Sequence, residues 1–209
     1  MEEKLLVNEN SFVKTSVIDV ENYNSIEWTN NIDRLLAEWC DNAKCYEWMH
    51  SRAYDFYSKK AKVFMIVINI LTTLSGLSNI IAGGYSIGTF QISWIFGSIS
   101  IIASTLNIIQ DKLAYSQIAE SHRTLLNSWL IIRNKIEEIL IIPPAKRKDC
   151  RTFMKYIKQD INTVITEKNA NIPLVIRDLC YEKFKNIKDF EIPDICGQVE
   201  HTRTYEELK

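Results

Sequence analysis

The stretch VFMIVINILTTLSGLSNIIAGGYSIGTFQISWIFGSISIIASTLNIIQ, residues 63–110, decides how this chain reads. It carries no Lys, Arg, Asp or Glu, and five of the six glycines fall inside it. Roughly 20 apolar residues span a bilayer core as a helix, so about 48 uncharged residues allow two crossings and a short turn. Residues 63–82 then form the first crossing, 91–109 the second, and the Gly-rich GGYSIGTF between them the turn. The expected fold class is an all-α membrane protein: a two-helix transmembrane hairpin continuous with a long cytosolic helical bundle. A buried helical pair in a non-membrane protein is the other reading, favoured by the Ser, Thr and Asn content of the stretch.

Outside the stretch the chain changes character. It has 209 residues, 24% of them charged, and a net charge of −1. Its mean hydropathy is −0.11. These averages conceal a charged body joined to an uncharged pin, and the even balance argues against a nucleic-acid partner. The opening MEEKLLVNENSF has no basic segment followed by an apolar one, so no cleaved signal is expected. Arg52, Lys59, Lys60 and Lys62 precede the hairpin, Lys112 and Arg123 follow it, and the turn has no charge. The positive-inside rule then predicts an integral membrane protein with both termini cytosolic. It leaves open a host intracellular, plasma or viral inner membrane. Five unpatterned cysteines suit reduced thiols. Cys40, Cys45 and His50 are spaced by five and turn about 140° from one another on a helix, so they do not form a metal site.

No proline precedes Pro143. Upstream of the hairpin Ile32, Leu36, Trp39, Ala43, Tyr46, His50, Ala53 and Tyr57 repeat at steps of four and three. Downstream Ile118, His122, Leu125, Trp129, Ile132, Ile136 and Ile139 do the same. Such seams specify helices packed in a coiled-coil manner. The expected organisation is a flexible N-terminal arm over 1–25, a cytosolic helix over 26–62, and the hairpin over 63–110. A helix continuing the second crossing follows over 111–142, further helices over 147–188, and a mobile tail over 189–209. Pro143-Pro144 ends the long helix. The basic knot of Lys146, Arg147, Lys148 and Arg151 reads as a solvated helix start.

Two polar stripes run through the hairpin. Asn69, Thr72, Gly76 and Asn79 share one face, and Ser93, Gly97, Ser100, Ser104 and Asn107 share another. Small residues at this spacing let helices approach closely, and buried amides in lipid seek partners or water. The stripes therefore either pack the hairpin or line a pore in an oligomer. If the chain folds back near Ser86, His50 lies opposite His122 and Arg52 opposite Glu120. That level is a candidate cytosolic collar, in which paired histidines either titrate near neutrality or fix helix register. Two histidines alone do not suffice for zinc, so no metal and no other cofactor is expected. Phosphate-loop, nucleophile-elbow and zinc-protease patterns are absent, and an enzyme is not expected.

The order of elements, together with DKLAYSQIAESHRTLLNSWLIIRNKI after the second crossing, resembles the SLATT group, two-transmembrane effector domains associated with SMODS and SLOG proteins. The resemblance covers about Ile32 to Pro143, and its most telling stretch is Tyr115 to Leu126 with Ala-Glu-Ser-His-Arg at 119–123. It implies a pore-forming or membrane-perturbing role triggered by a nucleotide-sensing partner. These residues carry no such sensor, so a stand-alone relative is expected, of a style met in large DNA viruses. The leading functional expectation is an oligomeric two-transmembrane channel. Its partners would be the lipid bilayer, copies of itself and a possible cytosolic protein. The rival is a membrane-anchored scaffold, for example of a virion membrane, whose bundle binds a protein.

Overall fold

The structure, a computed structural model, describes residues 27–81, 86–87, 90–167 and 170–197, with side chains for these except 77–93 and 167. The expected N-terminal arm over 1–25, residues 198–209 and the side chains of Asn79 and Ser93 lie outside the described residues.

Helix α1 runs Asn30–Ile81 without a break. Thr29 starts it, its hydroxyl accepting from the Ile32 amide at 3.4 Å while its carbonyl accepts from Asp33 at 3.1 Å. Such a cap satisfies donors that the first helical turn leaves orphaned. Two short strands, β1 Ser86–Ile87 and β2 Phe90–Gln91, pair antiparallel and turn the chain back. Helix α2, Ile92–Leu113, returns along α1, and α3, Tyr115–Ile141, continues past its first half. After a 3-10 turn at Pro144–Lys146 come α4, Cys150–Glu167, and α5, Leu174–Phe184, then a second 3-10 turn at Asp194–Cys196.

Helix α1 is the central element because its body half is apolar on two sides. Leu36, Cys40 and Ala43 pack with Trp129, Ile132, Ile136 and Ile139 of α3 and Ile157 of α4. Cys45, Met49 and Ala53 face the other way, against Ile172, Ile176, Cys180, Phe184 and Cys196. Leu36, Met49, Ile132, Ile136 and Ile157 are fully buried, each contributing about 1.5–3 kcal/mol. Every residue of the two heptad-like seams is buried or half-buried, so the body is a helical bundle with a coiled-coil-like seam.

Among the described residues no helix is long and apolar enough to cross a membrane. This corrects the expected fold class, the transmembrane hairpin, and with it the integral-membrane localisation with both termini cytosolic. The error lies in equating uncharged with apolar. In the described part of the stretch Asn69, Thr72, Thr73 and Ser75 break the apolar run of α1, and Ser98, Ser100, Ser104, Thr105 and Asn107 that of α2. A polar group thus recurs every few residues, which lowers the hydropathy that a bilayer-spanning helix requires.

Three further differences are local. The helix expected to run straight through 111–142 is interrupted at Ala114, whose φ of 48° and ψ of 32° lie in the left-handed region. The amide of Ala114 still donates to Gln110 and that of Ile118 to the Ala114 carbonyl, both at 3.0 Å. Arg147 of the basic knot is not solvated but buried. It donates to the Ile142 carbonyl at 2.7 Å, forms a bidentate ion pair with Asp33, and lies over the Trp28 ring. Residues 190–196 of the expected tail pack on the body, since Phe190, Ile192, Ile195 and Cys196 join the second core.

Candidate functional site

The antiparallel pairing of α1 and α3 brings His50 and His122 together, each from its own seam. Their Nδ1 atoms are 2.8 Å apart, and the residues are only 4% and 0% exposed. A contact between two ring nitrogens requires one ring to donate and the other to accept, so the two rings cannot both be protonated at Nδ1. Burial, and then the repulsion that a protonated His122 would exert, hold His50 down at about 3, and burial lowers His122 as well. Removing either ring from water penalises the imidazolium form. Both shifts favour the neutral rings at neutral pH, and the hydrogen bond joins α1 to α3.

The pair is the centre of a ladder of rings. Trp129 stacks on Tyr46 with centroids 4.6 Å apart, and Tyr46 on His50 at 6.5 Å. His122 stacks on Tyr57 at 5.5 Å with planes 7° apart. Tyr57 then meets Tyr115 at 6.0 Å, and Tyr115 meets Phe64 at 5.8 Å. Aromatic contacts of this kind add about 0.5–1.5 kcal/mol beyond the area they bury. They also join the body to the uncharged arm. Nε2 of His122 is buried with no hydrogen-bond partner among the described residues.

Arg52 and Glu120 do not face each other as a pair. Glu120 meets Arg123 at 3.6 Å on its own helix, and the Arg52 guanidinium lies 5.4 Å from the Trp48 centroid. Of the hairpin stripes, Asn69, Thr72, Gly76, Gly97, Ser104 and Asn107 are exposed, and Ser100 is half-buried against Ser75. Ala61 and Ile68 of α1 and Ala103 of α2 are instead the buried residues there, and Ser75 and Ser100 are hydrogen-bonded between the two helices. Gly76 and Gly97 have open space where a side chain would stand, so neither provides a close approach of helices within one chain.

The arm instead exposes large apolar side chains. Val63, Ile66, Ile70, Ile101, Ile102 and Ile108 are all more than half exposed, and Trp94 is 69% exposed. Sequence reasoning assigned these groups to lipid, and only the structure shows that the intramolecular contact leaves them open. Sequence reasoning also missed the grouping of Asn42 with Tyr46 and Trp129 beside the 190–194 segment, which comes from three separate parts of the chain. Among the described residues no group of three or more His, Cys, Asp or Glu is placed to hold a metal ion.

The resemblance to the SLATT group rests on the sequence features alone, because comparison with protein-family models, curated proteins and solved structures yields no match to this chain.

Proposed function

We propose that the protein is a non-enzymatic helical scaffold that assembles with copies of itself through its charge-free arm. One observation carries this reading: the arm displays Val63, Ile66, Ile70, Trp94, Ile101, Ile102 and Ile108 to its surroundings with no charge among them. Monomeric proteins rarely expose contiguous apolar surface beyond a few hundred Å², and larger patches mark interaction sites. The exposed Asn69, Thr72, Ser104 and Asn107 lie among these side chains. Between copies they would hydrogen-bond laterally and select one register of assembly, as isolated polar positions do in coiled coils. Closed symmetry is the usual outcome for such self-complementary surfaces.

The test is the mass of the full chain in solution, by light scattering or native mass spectrometry, with and without Ile66→Glu and Ile102→Glu together. A defined oligomer that becomes monomeric in the double variant, with helical circular dichroism retained, is expected. A monomeric wild type overturns the reading. So does a chain whose arm is taken up by detergent micelles or lipid vesicles without self-association.

A further inference from the structure

A recess of about 250 Å³ opens between α1, α3, the end of α4 and the start of α5. Its walls are apolar, from Leu125 and Trp129 of α3, Val164 and Ile165 of α4, and Ile172 and Ile195 beyond. Tyr46 and His50 of α1 line it as well. Small-molecule sites typically enclose about 300–1,000 Å³ behind mostly apolar walls with a few placed polar groups. The recess has that composition, and its size suits a small occupant.

The one charge in this lining is the guanidinium of Arg177. Its own turn holds it in place: Nε donates to the Ile172 carbonyl at 2.9 Å, and a terminal nitrogen donates to Asn171 Oδ1 at 2.8 Å. Both acceptors are neutral. Three arginines among the described residues are not exposed. Arg133 pairs with Glu47 and Arg147 with Asp33, whereas Arg177 has no carboxylate within ion-pair distance among the described residues. Glu191 and Asp194 line the adjoining cleft and not this recess. A guanidinium held against an apolar wall without a counter-ion favours an incoming anion, and its planar fork fits a carboxylate.

Tyr46 supplies a second donor. Its hydroxyl has no hydrogen-bond partner among the described residues and is not sealed off from solvent. Burial, then Cys196 and Asp194, push this phenol above its ordinary value, and the Arg177 charge pulls the other way. The guanidinium and the hydroxyl thus stand close enough to act on one another, and one acceptor with several lone pairs can serve both.

We propose that this recess binds a small apolar monocarboxylate. Its carboxylate pairs with Arg177 and accepts from the Tyr46 hydroxyl, and its body lies against Leu125, Val164, Ile165 and Ile172. The site is separate from the arm and does not depend on self-association.

The probe is 3-phenylpropionate, titrated calorimetrically into the full chain. The neutral 3-phenylpropionamide tests the charge at constant shape. Saturable binding of one acid per chain is expected, with the amide at least about tenfold weaker. Arg177→Gln should weaken the acid by about the same factor and close the gap to the amide. Tyr46→Phe should weaken the acid about threefold or more. The arm variant with Ile66→Glu and Ile102→Glu should bind the acid as the wild type does. If Arg177→Gln does not fold, the amide on the wild type still tests the charge. No saturable binding of the acid at millimolar concentration overturns the proposal. So does equal affinity for acid and amide, an Arg177→Gln variant that binds the acid unchanged, or loss of binding in the arm variant.

Discussion

Arg147 and Asp33 form a bidentate ion pair across 114 residues of sequence, and the arginine is almost wholly buried. The same guanidinium holds the Ile142 and Leu140 carbonyls at the end of α3, groups the helix itself leaves without partners. It therefore ties the start of α1 to the end of α3 at the end of the body away from the arm. Removing the arginine leaves Asp33, which at 32% exposure can be hydrated, so the loss is that of the charge-assisted hydrogen bonds, about 1.5–3 kcal/mol. Arg147→Ala should destabilise by that order in urea denaturation. Arg147→Lys should fall between it and the wild type, because a lysine cannot form the fork.

The histidine pair makes stability depend on pH in one direction. Both folded-state values lie below the ordinary imidazole value, His50 at about 3. The unfolded chain then binds protons that the folded chain refuses. The contribution is fully present above about pH 6.5 and is lost as the pH falls from there toward 3, at up to about 1.4 kcal/mol per pH unit for each ring. The melting temperature should therefore drop between pH 7 and pH 5. In the His50→Leu, His122→Leu double variant this part of the slope should vanish; an unchanged slope would show that other groups cause it.

Ala114 carries its left-handed conformation without the freedom of glycine. That costs an L-residue roughly 1–2 kcal/mol, partly offset in a glycine variant by the entropy of its unfolded chain. Ala114→Gly should raise stability by up to about 1 kcal/mol, and Ala114→Val should lower it, since β-branching is least tolerated there. Thermal unfolding of the two variants against the wild type measures both.

All five cysteines are free and buried. Burial pushes Cys40 up to about 11. Cys180 lies between Cys196, whose hydrogen bond lowers it, and Cys45, whose hydrogen bond together with burial takes it up to about 12. Cys196 is raised by its hydrogen bond with Cys180 and by burial. Thiolate is the reactive form. A disulfide reagent at pH 8 should thus find almost no reactive thiol in the folded protein and five in urea. Rapid reaction of even one native thiol would contradict this packing.

The helical nature of the body was legible because its seams repeat strictly. Leu36, Ala43, His50 and Ala53 on one helix, and His122, Leu125, Trp129, Ile132, Ile136 and Ile139 on the other, are all buried. The meeting of His50 with His122 followed from that periodicity and one assumed turn. What failed was the inference from missing charge to lipid. Asn69, Thr72, Ser104 and Asn107 are uncharged yet polar, and the period alone does not say which neighbour they meet. Arg147 escaped because a basic run on a loop looks solvated until the partner far away in sequence, Asp33, is placed beside it. The left-handed turn at Ala114 had no glycine, asparagine or proline to announce it. The grouping of Asn42, Trp129 and Asp194 was invisible for a related reason, since the three share no local pattern.

Helix α1 has 52 residues, about 78 Å at 1.5 Å per residue, while the returning strand of the hairpin is jointed at Ala114. The arm and the body thus share one unbroken helix on one side, while on the other the chain passes through the left-handed residue Ala114. Val63, Ile66 and Ile70, which stand exposed, are therefore carried on the same helix as Leu36, Ala43 and His50, which are buried in the body.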